Sequence, residues 1–137
     1  MIVSGGTDTR DERVDIDVTD KIVLTIPAER GFRGVVTLVL GGVGSRLNLP
    51  YERMDDLQLA LLAILEAASG DEVSIEIEVE DHHVSVAVGP LAPGSGRDDG
   101  LVRVVSKLVD SLEPKTREDG DGEWLTVTLG RSLPELR

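Results

Sequence analysis

The chain has 137 residues, 40% of them hydrophobic, with a formal net charge of −12, no cysteine, and one residue each of Trp, Tyr and Phe. A chain of this length builds one modest core, so a single domain is expected, and its acidity and lack of an aromatic platform make nucleic acid an unexpected partner. Disulfide and thiolate chemistry are excluded; with no apolar run near the roughly 18 residues of a bilayer span and no charged leader before an apolar stretch, a cytoplasmic protein without membrane contact is expected.

Residues 1–20 are rich in Gly, Asp, Thr and Arg without a sustained period and are expected to form an acidic, disordered tail. Within it Val14, Ile16 and Val18 alternate with acids, so a short edge strand over 14–19 is an expectation. Residues 21–26 alternate more clearly, and Pro27 ends that strand. Phe32, Val35, Val36, Leu38, Val39, Val43 and Leu47 then recur at a spacing close to 3.6, which predicts a helix over 29–45 despite Gly34, Gly41, Gly42 and Gly44.

Asn48, Leu49 and Pro50 make a break. A second helix over 54–69 carries Leu57, Leu59, Leu61, Leu62, Ile64 and Leu65, with Ala60, Ala63, Ala67 and Ala68 in the gaps. No polar stripe remains, so packing on two sides is expected. Glu66 is the ionisable residue near its end, and a buried carboxylate needs a partner or a purpose.

Beyond Gly70, Val73, Ile75, Ile77 and Val79 alternate with Glu72, Ser74, Glu76, Glu78 and Glu80; after Asp81 and His82 the alternation resumes at Val84, Val86 and Val88. This predicts a β-hairpin with an acidic outer face, a solvated one unless it meets a basic partner. Residues 89–100 read as a Gly, Pro, Ser and Asp loop. Leu101, Val104, Val105, Leu108 and Leu112 predict a third helix over 99–112, followed by a polar turn over 114–122, a strand over 124–129 and a short tail over 132–137. The order β, α, α, β, β, loop, α, β predicts an α+β two-layer sandwich, a mostly antiparallel mixed sheet with helices on one face.

Three further features carry little chemistry. His82 and His83 are adjacent and point to opposite faces of a strand, so they cannot chelate one ion. The 119–123 acid run lacks the glycine and distal Glu of an EF-hand and reads as a turn. Trp124 alternates outward relative to Leu125, Val127 and Leu129, which makes it a candidate exposed interface residue.

The run Ile26, Pro27, Ala28, Glu29, then Gly34, Val35, Val36, Leu38, Leu40, Gly42 and Arg46, then Tyr51, Asp55, Asp56, Leu57, Leu59, Ala60, Glu66 and Ala67 resembles the N-terminal half of the anti-sigma regulatory factors. These are serine-protein kinases of the GHKL (histidine-kinase-like) ATPase superfamily. The hairpin, the glycine-bearing loop, the helix with Leu108 to Asp110 and the closing strand follow in the order of that family. The resemblance implies one GHKL-like domain over 21–133 between the 1–20 tail and a 134–137 tail.

It also implies a site, from which this chain departs. In the family a helical Glu serves as general base and an Asn four residues on, on the same helix face, holds magnesium; here Glu66 remains and Gly70 replaces the Asn. Where the family has an Asp that reads adenine, Gly89 stands, followed by Pro90. A glycine-rich lid would cradle phosphates on its N–H groups; Gly94, Gly96 and Gly100 supply glycines, but Asp98 and Asp99 would repel a polyphosphate and Pro93 stiffens the loop. Thr37 stands where the family's first helix carries an Arg.

The reading that follows is a degenerate, non-catalytic relative. Glu66 is the one candidate catalytic residue, with two roles open: base, or a vestigial carboxylate capping the helix end or hydrogen-bonded to Ser69 or Ser95. Gly70, Gly89, Gly94, Gly96 and Gly100 are vestigial cofactor positions, with no cofactor and no metal expected. The resemblance implies a partner surface on the first helix and near the sheet, for a sigma factor or a STAS-domain antagonist, and pairing with itself or a homologue. One alternative is an active ATP- and magnesium-dependent kinase, with the metal held by water or Asp71. The other is a structural homodimeric domain.

Overall fold

The computed structural model describes residues 2–5, 20–47, 49–80, 82–116 and 122–130. In chain order these form β1 (Ile2–Gly5), β2 (Asp20–Pro27), a 3-10 turn (Arg30–Phe32), α1 (Arg33–Leu47), α2 (Tyr51–Leu65), β3 (Glu72–Val79) and β4 (His83–Leu91). A second 3-10 turn (Ser95–Arg97), α3 (Asp99–Leu108), β5 (Ser111–Thr116) and β6 (Glu123–Gly130) follow. The strands make one six-stranded sheet in the order β1-β2-β3-β4-β6-β5. The expected α+β sandwich with a mostly antiparallel sheet is present, and every pairing among the described residues is antiparallel.

Period-two alternation builds the core. Ile75 and Ile77 of β3 stand opposite Val88 and Val86 of β4, and Val86 and Val88 stand opposite Val127 and Leu125 of β6. All are buried, beneath Val36 and Leu40 of α1, Leu57, Leu61 and Ile64 of α2, and Val105 of α3. Burying one such side chain contributes roughly 1.5–3 kcal/mol. A one-residue slip of β3 would turn Glu76 and Glu78 inward, so the helix layer locks the register. This burial also holds α1 together despite its glycines.

α2 differs from expectation in length and surroundings. It starts at Tyr51 and ends at Leu65, with Glu66 at its C-cap, and Leu59 is 55% exposed, so its apolar surface is not covered on both sides. The early end has a cause in hydrogen bonds. Ala68 forms a β-bridge with Leu91, the Ser69 N–H donates to the Pro90 carbonyl (3.1 Å) and the Ala92 N–H donates to the Ala67 carbonyl (2.8 Å). The backbone thus exchanges helical partners for strand partners, and Gly70, at φ +89°, turns the chain into β3.

The same exchange carries β4 through Gly89 and Pro90 to Leu91, part of the segment expected as a loop, with a register irregularity between Val88 and Leu91. α3 stops at Leu108, and Leu112 belongs to β5, which the expected 99–112 helix and 114–122 turn concealed. β5 is an edge strand, exposed except at Leu112, so it lacks alternation, and an edge tolerates the missing N–H of Pro114. Asp110, just before β5, accepts from the Arg53 guanidinium of α2 (2.9 Å) and from the Gly130 N–H of β6 (2.6 Å), tying three elements together.

Two other expectations change. Ile2–Gly5 pairs with β2 instead of lying in a tail, because the edge of β2 presents an unpaired ladder and Ile2 and Val3 suit a strand. Trp124 is 5% exposed, not open to solvent: its indole lies across Gly89, where an added Cβ would stand 2.4 Å from the ring. The expected 14–19 strand and the 134–137 tail fall outside the described residues.

Candidate functional site

Glu66 lies between two hollows. One, of ≈ 330 Å³, runs between the end of α2 and the start of α3 and is lined by Glu66, Ala67, Gly94, Ser95 and Asp98 among others. The other, of ≈ 210 Å³, lies toward α1 and is lined by Arg30, Arg33, Glu66 and Val73. The Glu66 side chain is about half exposed, not buried as its helix suggested. Its carboxylate accepts a hydrogen bond from the Arg33 guanidinium at the first position of α1, and Arg30 stands 3.7 Å away. Neither Ser69 nor Ser95 is its partner; the Ser95 hydroxyl donates to the Ala92 carbonyl (2.6 Å).

The Arg33 hydrogen bond and positive charge, with a smaller contribution from Arg30, hold the Glu66 carboxyl below the ordinary glutamate value of 4.5. A general base works best with a pKa near the working pH, so this environment moves Glu66 away from that role. The sequence reading missed Arg33. A signal was present: Arg33 sits one helical turn before Thr37, on the same face, while the family's arginine was sought at Thr37 itself.

The glycines expected to mark vestigial cofactor positions are not brought to one place. Gly70 is off the helix, exposed, with open space around an imagined Cβ, so it does not share a face with Glu66. Gly89 faces the open side of the sheet beneath Trp124, and its inward neighbour, Val88, is fully buried in the core; neither position offers a carboxylate to the cleft. Gly94 borders the cleft at φ +85°, Gly96 is pressed against Pro114 of β5, and Gly100 lies in the first turn of α3. The Asp98 carboxylate caps α3 by accepting from the Leu101 N–H (3.0 Å), a helix-start role that needs no ligand.

One further carboxylate reaches this turn. Glu123, the first residue of β6, accepts from the Gly94 N–H (2.8 Å) through one oxygen and from the Gly96 N–H (2.7 Å) through the other. Nothing in its local sequence announces this contact, because Glu123 and Gly94 are far apart in the chain. His83 Nε2 lies 2.8 Å from Glu80, and among the described residues no three His, Asp or Glu side chains converge as a metal site would require.

No protein-family model matches the chain. It is 31% identical over 122 residues to serine-protein kinase RsbW of Bacillus velezensis, a match covering 80% of this chain and 74% of that protein. The chain belongs to the RsbW serine-protein kinase family. The RsbW of Oceanobacillus iheyensis is 28% identical over 120 residues, covering 80% of this chain and 75% of that one. That of Bacillus subtilis is 32% identical over 77 residues, covering 50% and 48%. In this RsbW-family chain the helix carrying Glu66 and the turn carrying Gly94 face each other across the cleft, but no Lys or Arg is among the cleft's lining residues.

Proposed function

We propose that this chain is a non-catalytic member of its family, a cytoplasmic anti-sigma-factor-like binding module. It regulates transcription by holding a sigma factor or a STAS-domain antagonist through protein contacts. The carrying observation is the early end of α2: position 70, a glycine at φ +89°, lies beyond the helix that should present a metal ligand one turn after Glu66. The residues present do not fit a magnesium-bound polyphosphate. Glu66 and Asp98 bring negative charge to the cleft, Gly70 offers no side chain, and the amides of Gly94 and Gly96 are engaged by Glu123. Asp71 is exposed and does not line the cleft.

A surface for a partner does not need nucleotide. Leu38 of α1 is 73% exposed, beside exposed Thr37, Gly41 and Gly42, and a large apolar side chain so placed supports protein contact on the first helix.

The names of the relatives favour a second reading, an active serine kinase using ATP and magnesium. Calorimetric titration with ATP and ADP in magnesium separates the two. Absence of heat at millimolar nucleotide, together with retention of a sigma factor or STAS protein on the immobilised chain, is the expected result. Binding tighter than about 100 μM, roughly −5.5 kcal/mol, or phosphate transfer to a STAS protein would overturn it. A stable homodimer that retains neither protein would favour a structural role.

A further inference from the structure

The sheet has one face without helices. The apolar side chains of β3, β4 and β6 point toward α1, α2 and α3, and among the described residues no helix covers the opposite face. On that face Glu76 stands beside Ala87, Ala87 beside Thr126 and Thr126 beside Glu113. Ser85 lies beside Glu78 in the next row. The small side chains of Ser85 and Ala87 on β4 leave a trough of ≈ 320 Å³, with Glu76 and Glu78 on its β3 side and Trp124 and Lys115 toward the β5 edge.

Charge is uneven across this face. Glu76 and Glu78 are two residues apart on one strand face, about 6.5–7 Å from each other. Lys21 of β2 reaches Glu78 at 3.9 Å, with the two side chains 44% and 41% exposed, and so open a pair neutralises little. Lys115 sits three strands from β3, about 14 Å away, beyond the range over which exposed charges act in physiological salt. The chain as a whole carries −12, a field that draws cations in and turns anions away. A second copy fits this face poorly, because stacking two of them would set Glu72, Glu76, Glu78 and Glu113 of each against the same excess of carboxylates on the other.

We propose that the open sheet face docks a basic segment of a protein partner, with the trough taking a Lys or Arg side chain. The apolar stem of that side chain lies over Ala87 and along Trp124, and its cation reaches the Glu76 and Glu78 side. Lys115 gives the trough a direction, since its ammonium repels a cation at the β5 edge and leaves the β3 side as the favourable end. The proposal rests on the binding-module reading above and adds to it the chemistry of one partner and a surface separate from α1.

Trp124 is the chain's single tryptophan, so its fluorescence reads the trough directly on the full chain. Titration with a decalysine peptide at low ionic strength is expected to give a saturable change that decaglutamate does not. The double variant Glu76→Gln, Glu78→Gln keeps the shape of both side chains and is expected to bind decalysine about threefold more weakly or worse, the loss due to two exposed ion pairs. Lys115→Gln is expected to bind it more tightly. Glu52→Gln with Asp55→Gln removes the same charge from exposed positions on α2 and is expected to leave the affinity near that of the wild type. No saturable change, or equal weakening by the two double variants, would overturn the proposal, the second by assigning binding to net charge alone. A Trp124 signal that shifts with protein concentration in the absence of peptide would give the face to a second copy and overturn it too. Capture of a sigma factor or STAS protein with Trp124 silent to decalysine would overturn this surface while leaving the binding-module reading in place.

Discussion

Arg33, at the start of α1, and Glu66, at the C-cap of α2, are 33 positions apart and joined by a guanidinium–carboxylate hydrogen bond. The pairing connects two helices that Leu49 and Pro50 separate in sequence, and it changes the chemistry of the residue that the resemblance singled out as the catalytic candidate.

Because Arg33 lowers the Glu66 pKa on folding, the pair's contribution to stability is fully present above the unfolded value and fades as pH falls through the lower folded one. Arg33→Met is expected to unfold more easily than the wild type at pH 7, with the difference shrinking once pH drops below 4.5. Urea midpoints across pH 3–7 measure this. A constant difference across that range would assign the effect to packing instead of charge.

The Trp124 indole occupies the space a side chain at position 89 would need. Gly89→Ala is therefore expected to cost about 1–3 kcal/mol, as overpacking does, read from chemical denaturation. Trp124→Leu makes room, so Gly89→Ala in that background is expected to cost much less than it does alone. Additive effects would mean that the contact is not the cause.

Gly70→Asn places at position 70 the residue type that the resemblance implies for holding a metal. Asn tolerates the left-handed backbone that Gly70 adopts, so the variant is expected to fold with little loss of stability. It is expected to gain no binding of ATP and magnesium by calorimetry, because α2 has already ended and the new side chain does not share a face with Glu66. Measurable nucleotide binding by this variant would place the defect in the single side chain rather than in the backbone.

Leu38→Glu changes an exposed side chain, so thermal stability is expected to stay within about 0.5 kcal/mol of wild type. Capture of a sigma factor or STAS protein is expected to fall at least tenfold if α1 carries the partner surface. Unimpaired capture would move that surface elsewhere.

The patterns within single elements were legible because they depend on neighbours in sequence. The period-two runs at Val73, Ile75, Ile77 and Val79 and at Val84, Val86 and Val88 fixed two strands, their faces and the hairpin between them, since a half-buried strand imprints its sidedness on every second residue. The residues from Ile26 to Ala67 carried the family, and the helix periods placed all three helices.

Tertiary structure decided what depends on distant partners. α2 ends at Leu65 because Ala67, Ala68 and Ser69 find backbone partners in Pro90, Leu91 and Ala92, a competition that no helix propensity records. β5 exists because β6 offers it a ladder, not because residues 111–116 alternate. Trp124 is buried because Gly89 opens a space for its ring. Whether Glu66 is a free carboxylate or a paired one, and whether the Gly94 and Gly96 amides are open or held, was settled by Arg33 and Glu123, each brought there by the packing of other elements. Local periodicity specifies which surfaces a chain must bury; only the folded arrangement specifies which polar groups then meet.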